Sequence, residues 1–366
     1  MFIKSFSRLI FPIFIFTITL SGCGKETKDY YELSDYNNVQ KIDAHIHINS
    51  SDPVWIELAR EDNFKLLSIN VDYPDFVPVE EQLNVAINHR NNNPEVFAFA
   101  STFYMAGWDD SEWLNTTFGY LDSTFNQGAI AVKVWKNIGM GFRNKDSNLV
   151  MIDDSRFDPV FEYLRKKDIP LIGHHGEPKD CWLPVEKMIN NDMKLYFGNH
   201  PHYHMYLHPD MPSYEDQMAA RDRMLSNNPE TRYMGAHVGS LEWSLDKLQE
   251  FFDKYPNATV DLSARMGYMQ YHSAIDREKT REFFIKYQDR IIYATDNVQD
   301  PGADPAVFKE AAHDKWLSDW MFMVTDSTMD SKDLDLPFKG LALPKIVIDK
   351  VYRLNAEKLF TKAWKK

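Results

Sequence analysis

Cysteine is almost absent from this chain: two in 366 residues, Cys23 and Cys181. That excludes a small fold stapled by disulfides. Glycine (15) and proline (18) are also sparse, so collagen-like repeats and low-complexity linkers are excluded. Positive charge is in deficit, 41 Lys and Arg against 54 Asp and Glu, for a net charge of −13. An acidic surface repels phosphates, which argues against nonspecific nucleic-acid binding. Past the N-terminus no segment reads as a membrane span. What remains is ample material for a core: 44% of residues are hydrophobic and 14% aromatic, which argues against global disorder.

The first 22 residues read as an address. Lys4 and Arg8 precede the apolar run Leu9 to Leu20, then Leu20-Ser21-Gly22-Cys23 follow. A basic start, an apolar stretch too short for a confident span and small residues at its end describe a secretory signal. The last four residues resemble a bacterial lipobox, which implies cleavage before Cys23, lipid on its sulfur and a place in the cell envelope, at the outer membrane. Cys181 is then the sole remaining thiol, with no disulfide to form. Residues 23–38 carry many polar side chains and read as a tether.

From residue 39 to 366, apolar β-branched runs alternate with amphipathic ones. Strands are expected at 39–48, 64–71, 96–102, 129–135, 169–173, 231–236, 258–262 and 290–294, each followed by a helical segment. Examples are 53–62, with Asp52 as N-cap, and 276–287. Eight such units in one domain fit a (β/α)8 TIM barrel, whose active site would lie at the C-terminal strand ends. A doubly wound open sheet is the alternative, but no Gly-rich phosphate turn supports it.

Polar residues fall at those ends. Strand one closes with Asp43-Ala44-His45-Ile46-His47, and alternation points His45 and His47 the same way. Strand five ends at His174-His175, strand six at His237 and strand eight at Thr295-Asp296. In a barrel these ends converge, and imidazole with carboxylate suits zinc, and also iron or manganese.

In this order the motifs resemble the amidohydrolase superfamily, in its amidohydrolase-related branch, from about Lys41 to Phe360. The tail Lys350 to Phe360, with its Asn355-Ala356 pair, resembles the family's closing helix. The resemblance implies one divalent metal, zinc first, with manganese or iron as alternatives. It assigns His45, His47, His174 and Asp296 as ligands. His174 is preferred over His175 because it directly ends the strand and precedes the family-like Gly176-Glu177-Pro178. His237 matches a histidine that faces substrate or metal.

The resemblance also leaves open a carboxylated lysine bridging two metals on strand four, for which Lys133 or Lys136 could serve; otherwise Lys133 binds a substrate carboxylate or pairs with an acid, and Lys136 reaches solvent. Arg265 after strand seven would clamp a substrate carboxylate or sit in a structural salt bridge, and Asp261 is equally open. Residues 180–212 form a long insertion rich in aromatics and histidines, expected to be a lid whose edge, including Trp182, touches substrate beside Glu177.

The first functional reading is a metal-dependent hydrolase of an amide, ester or lactone bond in a small molecule. Metal-activated water attacks, Asp296 takes and returns the proton, and His237 stabilises the oxyanion. The second is a metal-dependent decarboxylase of a small carboxylic acid, and the third a catalytically inactive, lipid-anchored binding protein. A homo-oligomer is left open.

Overall fold

The computed structural model describes residues 29–73 and 76–364. The leader and Cys23 lie outside them. Among the described residues no helix is long and apolar enough to cross a membrane.

Eight parallel strands form the barrel: β1 (Lys41–Ile48), β2 (Phe64–Ile69), β3 (Phe97–Ala100), β4 (Val132–Val134), β5 (Leu171–Gly173), β6 (Tyr233–Gly235), β7 (Ala258–Asp261) and β8 (Ile291–Ile292). They pair in two arcs, β3-β2-β1 and β4 through β8 in sequence order. A parallel bridge between Ser101 and Val132 joins the arcs on one side. On the other, the Ala44 amide donates to the Tyr293 carbonyl (3.1 Å) and the Asp296 amide to the His45 carbonyl (2.8 Å). The short strand β9 (Val298–Gln299) continues that seam along β1. Each ladder is shorter than its apolar run, because pairing stops where the chain turns out to a helix or loop.

Alternation divides the core in two. Leu66, Phe97, Val132, Leu171, Tyr233, Val260 and Ile291 belong to the layer beneath the helices. Leu67, Ala98, Ile172, Met234 and Ile292 fill the barrel. Lys133 pairs with Ile172, and Ile172 with Met234, so Lys133 shares the inward row.

Four features depart from the sequence reading. First, residues 30–38 are docked on the barrel. Tyr36 is buried with its hydroxyl on Asp62 (2.8 Å), and the Tyr31 hydroxyl donates to Asp349 (2.7 Å). The tyrosines among those polar residues supply the apolar surface that a free tether would lack. Second, the expected 276–287 helix is the second of two, Met266–Ile275 and Arg277–Lys286, with Asp276 capping the latter. Third, a long helix at Pro305–Val324 went unread, although Asp304 caps it and Pro305 opens it. Trp316 on that helix stacks on Phe64 at 4.0 Å between ring centroids. Fourth, Asp52 accepts from the Val54 amide (2.9 Å), so the first helix begins one residue late, at Val54–Glu61.

Residues 180–212 are ordered as helical turns around one helix, Asn191–Asn199, on a small core of Cys181, Met188, Phe197 and Met205.

Candidate metal centre and active site

β1 does not keep strict alternation. Its register against β2 shifts between Asp43 and Ile46. Before the shift Asp43 turns outward, accepting from the Thr295 amide (3.0 Å), the Thr295 hydroxyl (2.7 Å) and the Trp316 indole (2.8 Å). After it His45 and His47 turn inward. Asp43 thus ties β1 to β8 and the helix behind them, while the two imidazoles meet Asp296. Asp296 Oδ1 lies 3.3 Å from His45 Nε2 and 3.4 Å from His47 Nε2. Among the described residues these three form the one close group of metal-type ligands.

The other ring nitrogens decide what the histidines present. His47 Nδ1 donates to the Ile69 carbonyl (2.7 Å) and His45 Nδ1 to Asp261 (2.8 Å). In each, Nε2 is left as a lone pair facing Asp296, which is the form a metal requires. Asp261 also accepts from the His237 amide (2.8 Å) and the Ser263 hydroxyl (2.5 Å). Its carboxyl is held at about 2: burial works to raise it, but His45, His237 and Lys133 prevail. Asp261, left open by the sequence, orients His45. Ser263 was missed, although an Asp-x-Ser spacing at a strand end puts both on one face.

His174 lies beside this group. Its ring is 4.2 Å from that of His237, and its Nε2 is buried with no hydrogen-bond partner. Burial pushes His45, His174 and His237 toward the neutral form. For Asp296, burial opposes the carboxylate, while His237, His45 and His47 favour it when they carry charge; with those rings neutral, a bound cation would take that part. Neutral imidazoles around an ionised carboxylate, with an orphaned buried nitrogen among them, fit a divalent cation. His175 faces away and stacks on Tyr233.

His237 Nδ1 donates to the Ser263 carbonyl (3.0 Å). Its Nε2 therefore has a lone pair and no proton, so the expected hydrogen bond from His237 to an oxyanion is not available in this tautomer. The same geometry leaves Nε2 able to act as a base or a ligand, while Nδ1 lies 3.9 Å from Asp296 Oδ2. The backbone is strained here. His237, Val238, Ala264 and Asp296 all have positive φ, 58°, 59°, 52° and 67°. Such conformations cost free energy and cluster where function demands them.

A cavity of about 600 Å³ opens over the group, lined among others by His174, Glu177, Tyr196, His237, Arg265 and Asp296. Arg265 is buried, its Nη1 donates to the Ala264 carbonyl (2.9 Å), and its Nε has no partner. It makes no ion pair among the described residues; Glu242 and Asp180 act on it at longer range. Glu177 lies in the wall, ion-paired with Lys136 and 4.0 Å from His174 Nε2. Lys136 is therefore paired rather than free in solvent. Lys133, expected to touch substrate, does not line the cavity. It is buried, its Nζ 3.1 Å from His45 Nε2, the same nitrogen that faces Asp296, and burial pushes it down to about 8. Trp182 is also not in the wall: its indole donates to the Pro212 carbonyl (3.1 Å) and its ring packs edge-on against Tyr214. Among the described residues the histidines of the insertion form no second group of metal-type ligands. His200, His204 and His208 each bond a backbone carbonyl.

Residues 128–362 match the profile of a family described as amidohydrolase, and the chain belongs to that family. His174, His237 and Asp296 fall inside the match; His45 and His47 precede it. No curated protein matches the chain. Among solved structures, an uncharacterized TIM-barrel protein from Bordetella bronchiseptica aligns at 12% identity over 89% of this chain and 100% of its own, with a TM-score of 0.50. The 2,6-dihydroxybenzoate decarboxylase from Rhizobium aligns at 13% identity over 88% of this chain and 98% of its own, also with a TM-score of 0.50. These likenesses show the α/β TIM-barrel fold.

Proposed function

We propose that this protein is a metal-dependent hydrolase cleaving an amide, ester or lactone bond in a small substrate that carries a carboxylate. His45, His47, His174 and Asp296 would hold one divalent metal, zinc first, which when bound supplies Lewis acidity toward water and a carbonyl. Asp296, ionised at the cavity floor, accepts the proton of the attacking water and returns it to the leaving group. Arg265 holds the substrate carboxylate through a bidentate contact, which its lack of an ion-pair partner leaves open.

The observation carrying the choice of hydrolysis is the lone pair of His237 Nε2. Two bases, His237 and Asp296, face the cavity together. Taking a proton from water needs a base, whereas decarboxylation needs an acid to protonate the carbon left behind. The decarboxylase is the second reading, with which Arg265 is equally compatible, since a carboxylate held there suits either reaction.

Segment 180–212 is proposed as the lid, supported by Asn190, Met193 and Tyr196 in the cavity wall. Lipid on Cys23 would fix the enzyme at the envelope; a Cys23→Ala protein that is processed and still fractionates with membranes would contradict this.

The test of the reaction is a screen of metal-loaded protein against lactones, esters, amides and aromatic acids. Hydrolysis of a carboxylated member is expected, with Arg265→Met raising KM on the order of a hundredfold for it and little for an uncharged analogue. Release of carbon dioxide without hydrolysis would replace this reading with the decarboxylase.

A further inference from the structure

A second cavity, of about 500 Å³, adjoins the first and shares Lys136 and Glu177 with it. Its remaining wall is largely apolar and aromatic, formed by Tyr73, Trp135, Met140, Phe142, Tyr203 and Met205. None of the residues of the metal centre lines it. The Tyr73 ring lies 4.2 Å from that of Trp135, and the Tyr73 and Tyr203 hydroxyls are hydrogen-bonded to each other. Those hydroxyls are thus engaged with one another, and what the cavity offers is ring surface and thioether. Charge in the shared wall is internally balanced. The Lys136 ammonium is paired with Glu177 and sits over the Trp135 ring at 5.3 Å and the Tyr203 ring at 5.6 Å. Arg143, at the rim, donates to the Ser147 carbonyl.

We propose that this cavity is the subsite for an uncharged aryl group of the substrate. The proposal rests on the reading of Arg265 as the carboxylate clamp and adds the other end of the molecule to it. Aromatic rings prefer offset or edge contacts with other rings, worth about 0.5–1.5 kcal/mol beyond area burial, so a wall of this composition favours an aryl group over an alkyl chain. The Lys136–Glu177 pair offers no free charge to a ligand, and the Arg143 guanidinium, the other charge in the lining, is engaged with the Ser147 carbonyl and the Met211 sulfur. Glu177 Oε2 is 4.0 Å from His174 Nε2, so a molecule spanning the shared wall passes directly by the metal centre. The substrate class is an aryl-bearing carboxylic acid with the scissile bond between ring and acid.

The test is calorimetric titration with 2-naphthol, uncharged at neutral pH, and with 2-naphthoate. Two variants challenge the cavity in opposite ways. Trp135→Ala removes its ring surface. Gly141→Leu fills it: Gly141 lines the cavity, and an added Cβ would meet nothing closer than the Asn137 carbonyl at 3.9 Å. 2-Naphthol is expected to bind the native protein and Arg265→Met alike. It should bind Trp135→Ala and Gly141→Leu about tenfold or more weaker, with Trp135→Phe restoring most of the affinity. No binding to the native protein, or binding to Trp135→Ala and Gly141→Leu as tight as to the native protein, overturns the subsite. 2-Naphthoate tests the clamp separately. Any gain of naphthoate over naphthol should vanish in Arg265→Met. If naphthol behaves as expected and naphthoate gains nothing, the aryl subsite stands and the carboxylate reading fails.

Discussion

The chemistry of His45, His47 and His237 is set by the ring nitrogen that is already hydrogen-bonded. Ile69, Asp261 and Ser263 each accept a hydrogen bond from one Nδ1, which leaves Nε2 of the neutral imidazole as the lone-pair donor. The sequence displays His45, His47, His174, His237 and Asp296 because each ends an apolar strand, a one-dimensional signal. It does not display the tautomer of His237, which depends on a carbonyl 26 residues away. Nor does it display that Lys133 reaches His45 Nε2 while Arg265 has no ion pair among the described residues, because both facts arise between strands. Glu242 shows what burial does without such a partner. It is fully buried, accepts the Lys179 amide at 2.9 Å, and leaves its second oxygen without a hydrogen bond among the described residues. Burial lifts its carboxyl to about 7; Asp180 adds to the rise, while Arg265 and the Lys179 amide oppose it. Between about pH 4.5 and 7 the folded protein therefore holds a proton that the unfolded chain releases. The stabilising contribution is full below that window and is lost as pH rises through it. Relative to Glu242→Gln, the native protein should lose up to about 3 kcal/mol across the window, read from denaturant titrations at several pH values. A constant difference would show that Glu242 does not titrate there.

At the level of elements, strand existence was legible and strand ends were not. Apolar runs overshoot the ladders because residues in the turns toward the helices are as buried as the paired ones. The bulge in β1 was invisible for a sharper reason: Asp43, His45 and His47 share one parity, and only the pairing with β2 reveals that Asp43 has left their face. The insertion was legible as ordered from its aromatics, but its anchor was not. Asp180 accepts the Tyr268 hydroxyl (2.6 Å) and the Ile189 and Asn190 amides (3.1 and 3.4 Å), fastening the segment to the helix after β7. Beside it Cys181 is buried, and burial pushes its thiol far up. Asp180→Ala leaves three donors without an acceptor and should loosen the segment while sparing the barrel. Iodoacetamide labelling of Cys181 under native conditions is expected to speed up by about tenfold or more, with global unfolding little moved. Unchanged labelling would mean that the small core around Met188 and Phe197 holds the segment alone.

For the whole molecule, the family match begins at residue 128, yet the barrel needs its first three strands both to close and to bring His45 and His47 to Asp296. Fold and centre are thus one construction: the seam between β1 and β8 that completes the barrel also sets the ligand group. This was foreseeable, since a histidine pair on the first strand and an aspartate on the last meet only if the sheet closes. The central claim is that this seam holds a divalent metal. Its most direct measurement is metal content per chain, by elemental analysis after zinc loading and gel filtration, for the native protein and for His45→Ala/His47→Ala. The barrel core contains neither imidazole, so the double variant should still fold, which far-ultraviolet circular dichroism and thermal unfolding would check. One metal per chain is expected in the native protein and almost none in the folded double variant; equal metal content in the two would contradict the account.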